Sequence, residues 1–432
     1  MSVAKRYVRL HGSTLTDNRT ASQIDRDRVM YTSEFRRLAN VTQVVGGDDI
    51  HVFHNRLTHT LQVAQVARRI AEFLVDKNPK LKRELDPDVC ESAALAHDLG
   101  HPPFGHLAEK ALNQKAASVG LTDGFEGNAQ SFRIVTKLAA HDGTEAGLDL
   151  TRATLNALLK YPWQRGQNGT KSKEKWGAYS SEKREFDWAR ELSHVESIDQ
   201  CLEAQIMDWA DDVTYSVHDL EDFFRAGLIP LDRLASSEEE RQAFCAEVFQ
   251  RNAGKLPASP ADLSQIFKSL ANLWYGFQPY SGAYWQRTAL KAMASTLIGQ
   301  YVTQVQVKGR EGLDISDRLK CEIFMLKQLT WHFVILNPAL ATQQHGQKLV
   351  INGLFDVYRQ AVEDKDDRSL RLFPRIYRDS LLSQREKESW NKAALIRTVI
   401  DMIASMTENQ AIQLHHRLNG MSNGSAISEP LR

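Results

Sequence analysis

His97 and Asp98 stand side by side in the run Ala96-His97-Asp98-Leu99-Gly100-His101-Pro102-Pro103-Phe104-Gly105-His106. His59 precedes this doublet, and Asp211 follows it in an acidic, helix-forming stretch. Together they supply the nitrogen and oxygen donors that a hydrolytic metal centre uses. Such a set suits Mn, Mg, Fe, Ni or Zn, and spacing does not choose among these divalent ions. A lone buried histidine is usually a satisfied core residue. Here His97 adjoins an aspartate and is followed closely by His101 and His106. Packing explains this poorly, because each buried polar group needs its own partner, whereas one metal ion satisfies several. His106 and Glu109 are three positions apart, one helical turn, so the carboxylate can orient the imidazole and raise its basicity. Such a pair can protonate a leaving oxygen.

These side chains need elements to carry them. Apolar residues recur at steps of three and four through most of the chain, and alternating β-branched runs are scarce, so the fold is expected to be all-α. Val63, Val66, Ala67, Ile70 and Leu74 mark the inward face of a helix, and one step of four back from Val63 puts His59 at its end. A second helix is expected over about 86–99, stopping at Gly100 because Pro102-Pro103 follows. Its alanines at 93, 94 and 96 let other helices approach closely. A third, over about 195–222, sets Asp211, Tyr215 and Asp219 on one face. Further helices are expected near 238–251, 260–273, 283–306, 315–335, 347–364 and 391–417. The polar, glycine-bearing stretch 165–183 reads as an exposed, mobile loop.

With 432 residues the chain is long enough for a large core or for two to three domains. Lysine plus arginine equals aspartate plus glutamate at 54 each, so no global charge drives it onto nucleic acid or membrane. An anionic ligand must be drawn by a local site. The four cysteines lie far apart with no Cys-x-x-Cys spacing, which argues against a disulfide framework and a thiolate zinc site. No apolar window is long enough to span a bilayer and no signal-like leader is visible, so a soluble, cytoplasmic protein is expected.

The same residues carry a family resemblance. The order His59, His97-Asp98, Asp211 resembles the HD superfamily of metal-dependent phosphohydrolases. Phe35-Arg36-Arg37-Leu38 with Thr42-Gln43-Val44, and Asn55-Arg56-Leu57-Thr58-His59, are similar to words of the deoxyguanosine triphosphate triphosphohydrolase family. So are His97 to His106, Gly124-Phe125-Glu126-Gly127-Asn128-Ala129-Gln130, Leu159-Lys160-Tyr161-Pro162, and Leu202-Glu203-Ala204-Gln205 leading to Ala210-Asp211-Asp212. The likeness is strong over residues 20–225, the expected phosphohydrolase core, and weaker over 226–418. That second region is expected to complete the substrate pocket and oligomer contacts, with 419–432 a disordered tail.

The resemblance implies an HD-domain helical phosphohydrolase with additional C-terminal helices, releasing triphosphate from a deoxynucleoside triphosphate (dNTP) by water attack at the α-phosphorus. His59, His97, Asp98 and Asp211 would hold the metal. Asp211 is preferred to Asp212 because related enzymes begin an Asp-x-x-x-Tyr-x-x-x-Asp stripe at the last ligand, which Asp211, Tyr215 and Asp219 reproduce. Tyr215 would pack beneath the deoxyribose, with Asp219 and Gln43 at the 3′-hydroxyl and Val44 beside them in the same substrate-binding set. Arg56 would meet a phosphate, with His101 beside it, and His106 oriented by Glu109 would be the proton donor. Relatives assemble into rings or tetramers and some bind regulatory dNTPs, so a homo-oligomer and a dNTP activator are implied. Single-stranded DNA is a further candidate partner, although no basic cluster argues for it directly.

Two departures stand out. Several relatives carry a histidine where Gly127 stands, so catalysis should rest more on His106. The segment from Asp401 to Ala411 resembles one that usually has an aromatic after the aspartate and glycine before the methionine. Two other classes compete with the dNTP reading. An HD-type 5′-nucleotidase or phosphodiesterase has no need of the Tyr215 and Asp219 stripe. A non-catalytic nucleotide or single-strand binder has no need of His106 with Glu109.

Overall fold

The computed structural model describes residues 3–12, 18–43, 53–140, 146–193, 197–252, 259–274, 276, 278–309, 312–364, 366–386 and 391–422. Val44, and residues 423–432 of the expected disordered tail, lie outside these. The fold is all-α. Among the described residues the only paired strands are two-residue segments, Gln306–Val307 antiparallel to Leu313–Asp314.

Three helices form the centre. The Arg56–Lys77 helix starts at Asn55, whose side chain accepts from the Thr58 amide. It buries Val63, Val66, Ala67, Ile70 and Leu74, the face expected from sequence. The Pro87–Ala96 helix is capped by Asp86 and has proline at its first position, where a missing N–H costs nothing. The Leu202–Arg225 helix packs on both of these, and they pack on each other. The Ala21–Met30 and Arg152–Leu158 helices close the Pro87–Ala96 helix from further sides.

Small residues make the convergence possible. Val89, Ala93, Ala94 and Ala96 are fully buried, so neighbouring backbones come close. Just beyond, a side chain at Gly100 would place Cβ 2.2 Å from the Gly127 carbonyl oxygen. The hydroxyl of Ser131, on the Gly127–Arg133 helix, donates to the His97 carbonyl at 2.7 Å and accepts from the Gly100 amide at 2.9 Å. The end of the His97 helix is thereby locked against a second element.

One apolar core runs from Val29 to Val334. A second joins residues 104–125 to 351–414, so the late helices pack directly against the turn that follows the His-Asp doublet. The Pro338–Glu363 helix lies on His106–Ser118 and carries Lys392–Ala404 and Glu408–Leu418 on its other sides.

Three sequence expectations need correction. The helix expected at 347–364 begins at Pro338, with Asn337 as its cap. The helix expected over 391–417 is two helices, broken where Thr407 forms a capping box with Gln410. The stretch 165–183 is exposed only in part: it contains the short Lys171–Glu174 helix, and Ser172, Trp176, Ala178 and Tyr179 are buried. The two aromatic rings give that polar stretch an anchor.

Candidate metal centre and active site

The three central helices place His59, His97, Asp98 and Asp211 together. His59 Nε2 is 3.1 Å from Asp211 Oδ1, and His97 Nε2 is 3.7 Å from the same oxygen and 3.4 Å from Asp98 Oδ1. Donor atoms of His59, His97 and Asp98 lie within 4.8 Å of one another. The ring of His97 is oriented by its backbone: Nδ1 sits 2.6 Å from the Ala94 carbonyl, so Nδ1–H donates there and Nε2 faces the cluster. Among the described residues, buried Nε2 has no hydrogen-bond partner. An orphaned imidazole nitrogen among carboxylates fits a divalent cation. Burial opposes a charge on His97, yet Asp98 and Asp211 outweigh it and hold its pKa up to about 9. The anions therefore favour positive charge at this point.

Asp211 and its neighbour face different ways. Asp212 is taken by Lys327 at 2.5 Å, whereas Asp211 points to the histidines and receives Lys160 on Oδ2 at 2.8 Å. Burial raises the Asp211 pKa, but Lys160, His59 and His97 overcome this and leave it well below the usual carboxylate range. Lys160 also meets Asp208 at 2.8 Å. The run Leu159-Lys160-Tyr161-Pro162 marks the segment in the sequence, but a single lysine has no spacing that would reveal its partner.

Arg56 is buried and donates to Asp98 Oδ2 at 2.8 Å, while its Nε lacks a partner among the described residues. His101 Nδ1 lies 2.9 Å from Asp98 Oδ1. Burial and the nearby Arg56 lower the His101 pKa to about 4, so this ring is neutral at physiological pH.

His106 and Glu109 meet in the first turn of their helix, Nδ1 to Oε2 at 2.7 Å. The His106 side chain is 66% exposed, which leaves its other nitrogen open to a ligand, while Glu109 is buried. Lys175 grips the second Glu109 oxygen at 2.6 Å and Glu126 at 3.0 Å. His101, His106 and Glu109 also offer donor atoms within 4.8 Å of one another. The Lys175 ammonium already neutralises that carboxylate, so the arrangement suits an oriented imidazole better than a second cation. Lys175 was missed because its surroundings read as loop.

The backbone before His106 is unusual. Phe104 has φ 66° and Gly105 has φ 57°, and Gly105 is the helix cap with ψ −133°, a region only glycine occupies easily. A Cβ at Gly105 would lie 2.9 Å from an Arg56 guanidinium nitrogen. This turn leads into His106, which lines the same cavity and lies beside the His101 ring, with centroids 5.3 Å apart.

A cavity of about 390 Å³ joins these groups, a size suited to a small ligand. Arg56, His97, Asp98, His101, His106, Lys160, Lys175 and Asp211 line its charged end. Gln43 and Tyr215 also line it; the Gln43 side-chain amide oxygen is buried without a partner among the described residues. From the late helices come Lys327, Ile335, Leu340, Gln343, Gln344 and Gln347. Asp219 is not among the lining residues. It interacts with the Tyr215 hydroxyl, and burial together with Asp222 raises its pKa well above the usual range. Gly127 stands beside the His101 ring, where a Cβ would be 3.4 Å away.

Comparison with known proteins gives the family. The HD domain model matches residues 56–216, and the phosphohydrolase-associated domain model matches residues 313–417. A deoxyguanosinetriphosphate triphosphohydrolase-like protein of Corynebacterium glutamicum (strain R) is 35% identical over 427 residues, covering 93% of this chain and 92% of its own. A protein of the same name from Streptomyces coelicolor is 36% identical, covering 93% of each chain. Another from Brucella suis is 31% identical, covering 93% of this chain and 89% of its own. With its helical core, its clustered His-Asp donors and relatives matched along nearly their whole length, the chain belongs to the HD-domain family of deoxyguanosinetriphosphate triphosphohydrolase-like proteins.

Proposed function

We propose that the protein is a dNTP triphosphohydrolase, converting dGTP and other dNTPs to deoxynucleoside and inorganic triphosphate. One observation carries this reading: a single cavity presents His97, Asp98 and Asp211 of the cluster, the four cationic side chains Arg56, Lys160, Lys175 and Lys327, and the Gln43 and Tyr215 surface together. His59, His97, Asp98 and Asp211 are the residues that would hold a divalent ion. When bound, that ion supplies a Lewis acid for the α-phosphate.

The chain's own groups do the rest. Arg56 and Lys160 orient Asp98 and Asp211 and set positive charge beside the phosphates. His106, held by Glu109, delivers a proton to the leaving 5′ oxygen, while water attacks the α-phosphorus from the opposite side. Lys175 keeps Glu109 ionised, so the pair stays oriented. Tyr215 forms the surface against the deoxyribose, and the Gln43 side-chain oxygen, without a partner among the described residues, is an acceptor for a 3′-hydroxyl. A 2′-hydroxyl there would be left without room or a partner. Asp219 holds the Tyr215 hydroxyl from outside the cavity lining.

Self-association belongs to the same reading. Exposed Trp285, Leu349 and Ile376 supply apolar surface for it, and sedimentation of the purified protein tests it.

A product assay with each dNTP alone and then all four mixed, in Mn²⁺ or Mg²⁺, tests the activity. Triphosphate with deoxynucleoside is expected. Turnover only when the four are mixed would identify a dNTP activator. Hydrolysis of monophosphates or cyclic nucleotides alone would move the protein to the nucleotidase or phosphodiesterase class.

A further inference from the structure

The stretch from Asp401 to Glu408 supplies none of the cavity's lining residues, yet it is bonded to the cavity's walls. Glu408, in the first turn of its helix, is 5% exposed. Its Oε1 accepts from the Thr42 amide at 2.9 Å, from the Thr42 hydroxyl, and from the Phe104 amide at 3.2 Å. Thr42 adjoins Gln43, and Phe104 is two residues before His106. Both segments line the cavity, 62 positions apart in sequence, and one carboxylate oxygen ties them together.

Arg37 makes the matching connection with opposite charge. Its guanidinium donates to the carbonyls of Leu99 and His101, each at 2.8 Å, and to the Met406 carbonyl at 3.2 Å. The turn from Leu99 to His106 is therefore held at both ends by Met406 to Glu408. Asp401 extends the same strut, accepting from Gln130 at 2.9 Å and from Arg133 at 2.8 Å. Burying a carboxylate is costly unless several donors meet it. Glu408 has three, all on the two cavity walls, and the positive end of its helix favours the anion further.

We infer that Glu408 is a positioning residue, which sets the spacing between the Gln43 wall and the His106 wall and so makes the late helices part of the site's assembly. The catalytic consequence rests on the proposed role of His106; the placement of the walls does not. None of the four cluster residues is bonded to Glu408, so metal content is independent of it.

The test compares Glu408→Ala with Glu408→Gln in the full-length protein. The amide oxygen of glutamine still accepts all three bonds; alanine accepts none. Glu408→Ala is expected to lower kcat about 10–100-fold and raise KM, as a displacement near 1 Å does, with metal content retained. Glu408→Gln is expected within about threefold of the parent. Hydrogen exchange in peptides covering 41–43 and 102–106 should quicken in the alanine variant only. If Glu408→Ala does not fold, Thr42→Val removes one of the three donors and should raise KM about 3–10-fold by the same displacement.

Unchanged exchange in both peptides, or equal loss in the alanine and glutamine variants, overturns the inference, as does parental turnover in a folded Glu408→Ala protein. A parent inactive on every dNTP, with faster exchange in Glu408→Ala, would refute the dNTP reading and leave the placement of the walls supported.

Discussion

His59 and Asp211, 152 positions apart, meet with Nε2 3.1 Å from Oδ1, and the contact joins two long helices at one point. Asp212, one position on, turns away to Lys327. Replacing Asp211 with alanine should therefore remove both bound metal and activity. Asp212→Ala should keep stoichiometric metal, measured by elemental analysis after dialysis. Metal loss in the second variant and not the first would reverse the assignment.

The His106 imidazole touches Glu109 and no residue of the cluster's metal-holding set. His106→Ala is expected to lower turnover about 10²–10⁴-fold with metal retained, as for a lost general acid. Loss of metal in this variant would put His106 among the ligands instead.

The glycine before His106 has φ 57° and ψ −133°. Gly105→Ala should cost about 1–3 kcal/mol of stability through backbone strain and push on Arg56. The expected outcome is a lower Tm together with a loss of kcat larger than the loss of folded protein explains. A fully active Gly105→Ala enzyme would show that the turn does not aim His106.

The sugar contact gives a selectivity prediction. Tyr215→Ala should reduce the preference for dGTP over GTP by about tenfold or more, since space opens at C2′. The ratio of kcat/KM values measures this, and an unchanged ratio would remove Tyr215 from sugar recognition.

His218 sits against the ring of His54, with centroids 4.8 Å apart. Burial, then His54 and His59, push its pKa down to about 3 from an ordinary 6.5. The unfolded chain takes up this proton as pH falls below 6.5 and the folded chain does not, so stability is lost from there down to about 3. His218→Leu lacks that loss. Its Tm relative to the parent should rise by about 2–4 °C between pH 7 and pH 4, and a constant difference would contradict the shift.

The metal-holding set was legible because histidine and aspartate are recognisable by type and the helices carrying them have clear apolar periodicity. The N-terminal part of the Pro338–Glu363 helix was not. Gln343, Gln344 and Gln347 face the cavity, so that part of the helix has polar residues where a core-facing helix has apolar ones. Lys175 was hidden for a related reason: polar and glycine residues around it read as loop, while Trp176 and Tyr179 anchor it. Asp219 shares a helical face with Tyr215, as its spacing requires, but it lies outside the cavity lining and meets the Tyr215 hydroxyl instead. Glu408 lies 366 positions from Thr42, and no local pattern announces a contact of that range.

The most direct test of the account is hydrolysis of dGTP in H₂¹⁸O, with the products separated by ion exchange and weighed by mass spectrometry. Water attack at the α-phosphorus with the 5′ oxygen leaving predicts unlabelled deoxyguanosine and intact triphosphate carrying one ¹⁸O. Deoxyguanosine monophosphate with pyrophosphate, or label in the deoxyguanosine, would contradict it.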